Sequence, residues 1–211
     1  MDLVTIITPS YNCKKYFKET FESVINQTHK DYEWIILDDC STDGSFEFIQ
    51  NLIQYNSNIK ILKTEKNSGS AVARNIGLKA ACGKYITFLD ADDLLDHNYL
   101  EEQVKFMKEN GPIITAGYRR MAESTTTNFI PRESITYKQL LTGNDCSCLT
   151  TMYDFELFKD VRFTNESSHH EDLIFWGDIL SRGYVAKGNH QILATYRIYN
   201  ESRNSSKKKL I

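Results

Sequence analysis

The stretch that decides the fold is YITFLDADD, residues 85–93. Its apolar part is short enough to be typical of a buried strand, and it ends in three carboxylates within four residues. Clustered carboxylates repel one another unless a cation joins them. Mg²⁺ and Mn²⁺ accept such oxygen ligands and complete their shells with phosphate oxygens and water. The stretch therefore predicts either a metal–phosphate site at a strand end, or a solvated turn in which Asp92 or Asp93 caps the next helix.

Similar apolar runs flank this stretch and alternate with helical patterns. We predict strands at residues 3–8, 32–37, 59–63, 85–89 and 112–116, and helices at 16–25, 45–53, 70–81 and 99–107. Strands that alternate with helices indicate a parallel sheet with crossover helices, which is an α/β fold. The early strands are almost continuously apolar, as expected where both faces of a sheet are covered.

The pattern becomes less regular after Tyr118. We predict helices at residues 135–141 and 171–181, and strands at 148–153, 161–164, 184–187 and 192–199. Trp176 falls at helical spacing and is expected in the core. No linker or repeat separates this part from the first. We therefore expect one domain, residues 1–211, with halves at 1–117 and 118–211.

In open α/β sheets, ligands bind beyond the carboxyl ends of the strands. That rule singles out three polar segments that follow predicted strands, at residues 9–12, 38–39 and 90–93.

Composition restricts the class of protein. The chain has 211 residues, of which 41% are hydrophobic and 25% charged, as in a water-soluble globular domain. No apolar run has the length of a transmembrane helix, and the first residues lack a signal-peptide pattern. Five cysteines without paired spacing argue against a disulfide framework. We expect a cytoplasmic protein without a nucleic-acid partner.

Charge is distributed unevenly along the chain. Residues 187–211 contain six Lys or Arg and one Glu, a net charge of +5, which leaves −8 for residues 1–186 because the whole chain carries −3. A basic tail of this kind indicates peripheral contact with an anionic membrane surface, contact with a phosphorylated substrate, or simply a solvated terminus.

Several short motifs occur in a fixed order over the first half of the chain. They lie at residues 6–12, 23–28, 38–44, 67–69, 73–77, 83–86 and 90–93. This set resembles the family-2 glycosyltransferases, which have the GT-A fold. Weaker matches extend the resemblance to the second half: Glu171 and Asp172, then Tyr196, Arg197, Asn200 and Ser202.

The resemblance implies transfer of a sugar, with inversion, from a nucleotide-activated donor such as a UDP-hexose or UDP-N-acetylhexosamine. The first half would bind the nucleotide and the second the acceptor. It also implies Mn²⁺ or Mg²⁺ bound through the Asp90-Ala91-Asp92 motif. Asp92 is the best candidate ligand. Asp90 would contact the ribose, or the metal through water, and Asp93 is the third candidate.

The resemblance also implies a nucleotide pocket made of Pro9, Tyr11, Asn12, Asp38, Asp39, Arg74, Asp90, Ala91 and Asp92. Tyr11 could stack on uracil, and Asp39 could accept the uracil N3–H. Asn12 could instead bond the loop backbone, and the two aspartates after the second strand could serve only as a turn and cap pair. A guanidinium suits bidentate oxygen recognition, so Arg74 is either a nucleotide contact or half of a surface salt bridge with Glu65 or an aspartate of the acidic cluster.

An inverting transferase needs a base that removes the acceptor hydroxyl proton. Asp172 corresponds best to the family's base, with Glu171 in reserve. The helix N-terminus would lower the pKa of Asp172, so a partly buried setting must offset it; alternatively, both are ordinary first-turn acids. Tyr199 stands where the family often has a histidine, and we expect Arg197 and Arg203 to be able to hold the diphosphate.

Two other classes remain open. A nucleotidyltransferase shares the metal carboxylates but usually has a Gly-rich phosphate loop after the first strand, where this chain has Pro9-Ser10-Tyr11-Asn12. A non-catalytic nucleotide-sugar binding module is disfavoured by the intact acidic motifs. By analogy with the family, we expect a glycan or lipid-linked acceptor in bacterial surface-polysaccharide assembly. We also expect the loop at residues 122–133 and the basic tail to order over the bound donor.

Overall fold

The computed structural model describes residues 2–164 and 170–199. Strands and helices alternate through the first half of the chain, as predicted. The helices are α1 (Phe17–Ile25), α2 (Ser45–Ile53), α3 (Ser70–Ala80), α4 (Tyr99–Asn110), α5 (Tyr137–Leu140) and α6 (Glu171–Ser181). The strands are β1 (Val4–Ser10), β2 (Tyr32–Asp38), β3 (Ile59–Lys63), β4 (Tyr85–Phe88), β5 (Leu94–Leu95), β6 (Ile113–Met121), β7 (Thr126–Phe129), β8 (Ser134–Ile135), β9 (Thr151–Asp154) and β10 (Ala186–Arg197).

All of these strands belong to one sheet. Its main order is β3-β2-β1-β4-β9-β6-β10-β5, while β7 pairs with β6 and β8 with β10. The pairs β1–β2, β1–β4, β2–β3 and β6–β10 are parallel. Strand β9 comes from the second half of the chain and runs antiparallel between β4 and β6. The architecture is the predicted α/β fold with a mostly parallel central sheet.

Helices cover both faces of the sheet, which explains the almost unbroken apolar strands. On one face, Trp34 of β2 stacks on Phe17 of α1 with ring centroids 5.6 Å apart. On the other face, Phe88 of β4 packs edge-on against Phe175 and Trp176 of α6. Trp176 is fully buried, which confirms its predicted place in the core. Helix α6 is therefore fixed against the strand that leads into the acidic motif.

Helix α3 approaches the sheet closely at Gly77. A Cβ built there would lie 2.5 Å from Cγ2 of Ile7, closer than side chains tolerate. The missing side chain lets α3 lie directly on β1, which sets the height of α3 above the strand ends.

The irregular second half contains the errors in the sequence interpretation. Residues 161–164 were predicted as a strand and have no regular structure. The two strands predicted at 184–187 and 192–199 are the single β10, whose register shifts after Asn189. Exposed polar residues at that bulge interrupt the apolar pattern and produced the apparent gap. The polar segment around Thr126 forms β7 because its backbone pairs with β6, a contact that composition does not reveal.

Candidate functional site

The three polar segments that follow β1, β2 and β4 lie side by side. In the register of the sheet, Ser10 pairs with Asp38, and Ile7 pairs with Phe88. All three strands are parallel, so their carboxyl ends meet at one edge. The sheet topology thus brings the predicted nucleotide and metal residues together.

The residues after β1 divide into exposed and internally bonded side chains. Tyr11 is 45% exposed, so its ring is available to a ligand, and Pro9 beside it is partly exposed. Asn12 has a left-handed backbone, with φ of 48°. Its side-chain Oδ1 accepts a hydrogen bond from the Thr42 backbone amide at 2.8 Å, and its backbone amide donates to Ser41 Oγ at 3.0 Å. Asn12 therefore ties this exit to the turn after β2, the loop-bonding role considered from the sequence.

The two aspartates after β2 are buried and bind backbone. Asp38 accepts a hydrogen bond from the Ser41 amide at 3.1 Å. Asp39 accepts from the amides of Ser68 at 3.0 Å and Gly69 at 2.6 Å, and from Thr64 Oγ1 at 2.8 Å. Both carboxylates thus shape loops around the site, and Asp39 fixes the loop that leads into α3.

The acidic motif lies between β4 and β5, with two of its carboxylates at least partly exposed. The side chain of Asp90 is 41% exposed. Burial, followed by the charge of Asp90, raises the pKa of Asp92 to about 6. Ala91 is buried between them, and its carbonyl accepts a hydrogen bond from Thr20 Oγ1 of α1 at 3.1 Å. The motif is therefore held by its backbone, while the neighbouring charges of Asp90 and Asp92 disfavour each other.

Asp93 faces the end of β10. It is 1% exposed, and its Oδ1 accepts a hydrogen bond from the backbone amide of Arg197 at 2.8 Å. Burial, with the charges of Asp90 and Asp92, raises the pKa of Asp93 well above its usual value. The structure therefore gives Asp93 a position in the protein interior, where a ligand from solvent would not reach it.

Arg197, expected from the sequence to be able to hold a diphosphate, is 4% exposed and is bound within the protein. Its guanidinium contacts Glu19 at 2.7 Å, the carbonyl of Tyr16 at 3.3 Å and the carbonyl of Asp92. Tyr199 stacks on Tyr16 with ring centroids 4.0 Å apart. The end of β10, the start of α1 and the acidic motif thus form one connected unit.

Arg74 joins the acidic motif to the acidic pair of α6. Its side chain is 6% exposed. One terminal nitrogen lies 2.7 Å from Asp90 Oδ1 and the other 2.5 Å from Glu171 Oε1. Glu171 also accepts a hydrogen bond from Ser70 Oγ at 2.5 Å. The sequence interpretation considered a salt bridge with the acidic cluster, but not a second carboxylate from α6.

Asp172 lies beside this bridge with different partners. Its Oδ2 accepts a hydrogen bond from Asn144 Nδ2, and its Oδ1 from the Leu173 amide, both at 2.8 Å. Burial raises the pKa of Asp172 above its ordinary value, while the Leu173 amide and Arg74 act in the opposite direction. The partly buried setting required to offset the helix N-terminus is therefore present.

Some sequence predictions fall outside the described residues. These are Asn200, Ser202, Arg203 and the end of the basic tail. His170 is exposed and directly precedes α6. Sequence reasoning missed Asn144, Ser70 and Glu19, which contact the site from elements distant in the chain. No motif marks these three residues, and only the folded contacts identify them.

The acidic motif was tested for its fit to a divalent metal. Within residues 2–164 and 170–199, no three His, Cys, Asp or Glu side chains are grouped so as to hold a metal ion by themselves. Metal–nucleotide sites commonly use one or two carboxylates and take their other ligands from phosphate and water. The partly exposed Asp90 and Asp92 meet that requirement. Burial, followed by the charge of Asp90, raises the pKa of Asp92, and a bound cation would offset both effects.

None of the helices in the described part of the chain is long and apolar enough to cross a membrane.

Comparison with known proteins identifies the family. The sequence profile of Glycosyl transferase family 2 matches residues 5–169, a range that covers all but the first residue of β1, all of β2 to β9, and the site residues that precede α6 and its flanking histidine. The chain belongs to glycosyl transferase family 2. The resemblance inferred from the ordered motifs is thereby confirmed.

Relatives match over nearly the whole length of this glycosyltransferase-family chain. A Bacillus subtilis protein provisionally assigned to teichuronic acid biosynthesis, glycosyltransferase TuaG, is 40% identical over 209 residues, which cover 97% of this chain and 82% of TuaG. The Escherichia coli protein WfaP is 33% identical over 98% of this chain and 82% of its own. WfaP is named a UDP-Glc:alpha-D-GlcNAc-diphosphoundecaprenol beta-1,3-glucosyltransferase.

Solved structures establish the fold of this family-2 chain. TarS of S. aureus, residues 1–349 in complex with UDP-GlcNAc, matches with a TM-score of 0.78 at 23% identity. The match covers 98% of this chain and 61% of the TarS chain. The mannosyltransferase PcManGT of Pyrobaculum calidifontis, solved with GDP-Man and Mn²⁺, matches with a TM-score of 0.75 at 17% identity, over 96% of this chain and 59% of PcManGT. The chain has the predicted GT-A fold.

Proposed function

We propose that this chain transfers a hexose or N-acetylhexosamine from a UDP-linked donor to a hydroxyl of a lipid-linked glycan, with inversion and with Asp172 as the general base. The proposal refines the family assignment in four respects: the donor, the acceptor, the stereochemistry and the residue roles.

A single observation carries the proposal. Arg74 is buried and binds Asp90 of the acidic motif and Glu171 of α6 at the same time. Groups suited to a nucleotide diphosphate and groups suited to an acceptor hydroxyl therefore line one site. A binding module has no need for the second set.

Asp172 is the better candidate of the acidic pair, because Glu171 is ion-paired with Arg74. One oxygen of Glu171 already accepts hydrogen bonds from Arg74 and Ser70. Asp172 accepts one hydrogen bond on each oxygen, which leaves a lone pair on each for a hydroxyl. A carboxylate whose pKa is raised is also a stronger base.

The reaction requires one proton transfer and one substitution. Asp172 accepts the proton of the acceptor hydroxyl as that oxygen forms a bond to the anomeric carbon from the face opposite the leaving group. The bond between that carbon and the diphosphate oxygen breaks, and UDP leaves with the electron pair. Attack from the opposite face gives inversion.

Asp92 and Asp90 would hold Mn²⁺ or Mg²⁺, with the donor diphosphate supplying further oxygens. Such an ion would stabilise the negative charge on the departing diphosphate. Asp93 is buried against β10 and in this proposal supports the motif from behind.

The nucleoside would lie at the exits of β1 and β2. The exposed ring of Tyr11 offers a stacking surface beside Pro9. Asn12, Asp38 and Asp39 shape this pocket by bonding its loops. Arg74 is predicted to contact the nucleotide, and in the folded chain its two terminal nitrogens hold Glu171 and Asp90.

The acceptor is proposed from the printed activity of WfaP, whose acceptor is a diphosphoundecaprenol-linked GlcNAc. We place the enzyme in the cytoplasm, at the inner face of the membrane, where its basic tail would contact anionic lipid.

The test is sugar transfer by the purified chain. We would incubate it with a panel of UDP-sugars, Mn²⁺ or Mg²⁺, and a synthetic lipid diphosphate-linked GlcNAc, and measure UDP release and the anomeric configuration of the product by NMR. We expect metal-dependent UDP release that increases with acceptor. Product with the donor's anomeric configuration would contradict inversion.

The same assay separates the other two classes. Pyrophosphate released from a nucleoside triphosphate would indicate a nucleotidyltransferase. Binding of a UDP-sugar with neither hydrolysis nor transfer, over the full panel, would indicate a binding module.

A further inference from the structure

Asn144 contacts the acceptor side of the site although no motif marks it. Its Nδ2 donates a hydrogen bond to Asp172 Oδ2 at 2.8 Å. Its Oδ1 accepts from the backbone amide of Cys146 at 3.2 Å. The second bond determines the orientation of the amide, because the oxygen must face the Cys146 N–H and the nitrogen must then face Asp172. Hydrogen bonds at both Nδ2 and Oδ1 therefore fix the side-chain amide, although the residue is exposed.

The loop that carries Asn144 is anchored on both sides. Arg132 is paired with the carboxylate of Asp145 and donates to the carbonyl of Gly143 at 2.9 Å. Thr115 Oγ1 of β6 donates to the carbonyl of Asp145 at 3.2 Å, and Cys146 is fully buried. Asn144 therefore projects from a fixed turn on the sheet, and its amide is presented to α6 by backbone that is held in place.

We propose that Asn144 is a positioning residue for the general base: its amide sets the direction of the Asp172 carboxylate and favours the ionised form. The inference rests on the proposed function, since it assigns the second partner of the base named there.

The charged and titratable groups that face Asp172 set the background for this role. They are Arg74 of α3, Glu171 of the same helix, and the buried thiols of Cys146 and Cys148. Arg74 favours ionisation of Asp172, whereas burial and Glu171 disfavour it. Both thiols are kept protonated by burial, which raises the pKa of each. Asn144 thus joins Arg74 and the Leu173 amide in favouring the carboxylate, against burial and the charge of Glu171.

A donated hydrogen bond has two separable effects on a base. It fixes the angle at which the free lone pairs meet the acceptor hydroxyl, which affects kcat at every pH. It also stabilises the carboxylate, which lowers the pKa of the base and with it the pH below which kcat falls. If Asn144 contributed only to packing, the pKa of Asp172 would not depend on it. The pH profile therefore distinguishes a positioning role from a structural one.

The experiment compares Asn144→Ala and Asn144→Asp with the wild-type chain, by transfer kinetics from pH 4.5 to 8. We expect Asn144→Ala to lower kcat roughly tenfold, with little change in the KM for the donor. The acid limb of the pH profile, where kcat falls as the pH is lowered, should move upward by about one pH unit. Asn144→Asp should move the limb further, because a second carboxylate disfavours ionisation of the first.

The matched control is Asn51→Ala. Asn51 is an exposed asparagine in the last turn of α2 and has no place in the proposed site. It should leave both kcat and the acid limb unchanged. Thermal melting of every variant checks that the fold is retained, as expected for substitutions at exposed positions.

Two results would overturn the inference, and they are distinguishable. If the wild-type chain transfers sugar and both Asn144 variants keep its acid limb and kcat, Asn144 does not position the base and the proposed function stands. If the wild-type chain transfers no sugar with any donor, the proposed function fails, and the inference fails with it.

Discussion

The proposed donor edge of the site, which contains Asp38, Asp39 and the acidic motif, and the proposed acceptor edge, which contains Glu171 and Asp172, are held together in different ways. At the donor edge, the carboxylates of Asp38 and Asp39 bind backbone amides close to them in the fold's βαβ units. At the acceptor edge, the acidic pair of α6 is held mainly by side chains of other elements, with Glu171 bound by Arg74 and Asp172 by Asn144. A backbone amide remains whatever the neighbouring residue is, whereas a side-chain partner is lost with one substitution. We therefore expect the acceptor edge to be the more easily altered.

The largest effect should come from removing the base at the acceptor edge. Asp172→Asn keeps the shape of the side chain but cannot accept the hydroxyl proton, so kcat should fall by about 10³-fold, within the range for lost general base catalysis. Affinity for UDP in the presence of Mn²⁺, measured by calorimetry, should stay within about twofold of the wild type.

Asp178→Asn is the matched control because Asp178 lies on the same helix at its exposed side, beside Arg182. Near-normal turnover of Asp172→Asn would show that another group accepts the proton.

The second-largest effect should come from removing Arg74, whose salt bridges to Asp90 and Glu171 join the two edges. Arg74→Met leaves Asp90 and Glu171 without their common cation. Removing one partner of a fully buried pair costs about 3–5 kcal/mol. We expect a loss of roughly 2 kcal/mol in the free energy of unfolding, since Asp90 is 41% exposed and partly screened by solvent. Urea denaturation gives the measurement.

Transfer activity of Arg74→Met should fall as well, because both Asp90 and α6 lose a contact. Arg182→Met, which removes a surface cation paired with Asp160 and Asp178, is the control and should change stability little. Equal stability losses in the two variants would contradict a special role for the bridge.

Two helix glycines, one behind each edge, differ in the space that surrounds them. Gly77 of α3 has no room for a methyl group, since a Cβ would lie 2.5 Å from Ile7. At Gly177 of α6 the nearest atom, on Tyr137, would be 3.6 Å away, an ordinary contact. Gly77→Ala should destabilise the protein by about 1–3 kcal/mol through overpacking, whereas Gly177→Ala should be neutral or stabilise it by up to about 1 kcal/mol through helix propensity.

Chemical denaturation of both variants measures the difference. If Gly77→Ala were as stable as Gly177→Ala, the close approach of α3 to β1 would be wrong.

The smallest effect concerns the support of the acidic motif. The hydroxyl of Tyr199 donates to the carbonyl of Asp92 at a long 3.4 Å, while its ring stacks on Tyr16. Tyr199→Phe removes only the long bond, so we expect less than about a twofold change in the KM for Mn²⁺. Tyr199→Ala also removes the stacked ring and should have the greater effect. Equal effects of both variants would show that the ring does not support the motif.

The contrast between the edges also explains what the sequence could predict. Strands β1 to β4 and the residues at their ends follow from apolar runs and ordered motifs, because a parallel sheet brings its strand ends to one edge. The burial of Asp93 and Arg197 did not follow, since their contact depends on where β10 ends relative to the acidic motif. Asn144 could not be identified at all, because its role depends on a turn and a helix that meet only in the folded chain.

The position of β9 has a consequence for dissecting the molecule. This strand is supplied by the second half and closes the open side of β4. A fragment ending at residue 117 would expose the backbone of β4 as an unpaired edge, which promotes association between copies. The halves named for nucleotide and acceptor are therefore not exchangeable modules. Chimeras between relatives should exchange surface loops, such as the turn that carries Asn144, and leave the strand order intact.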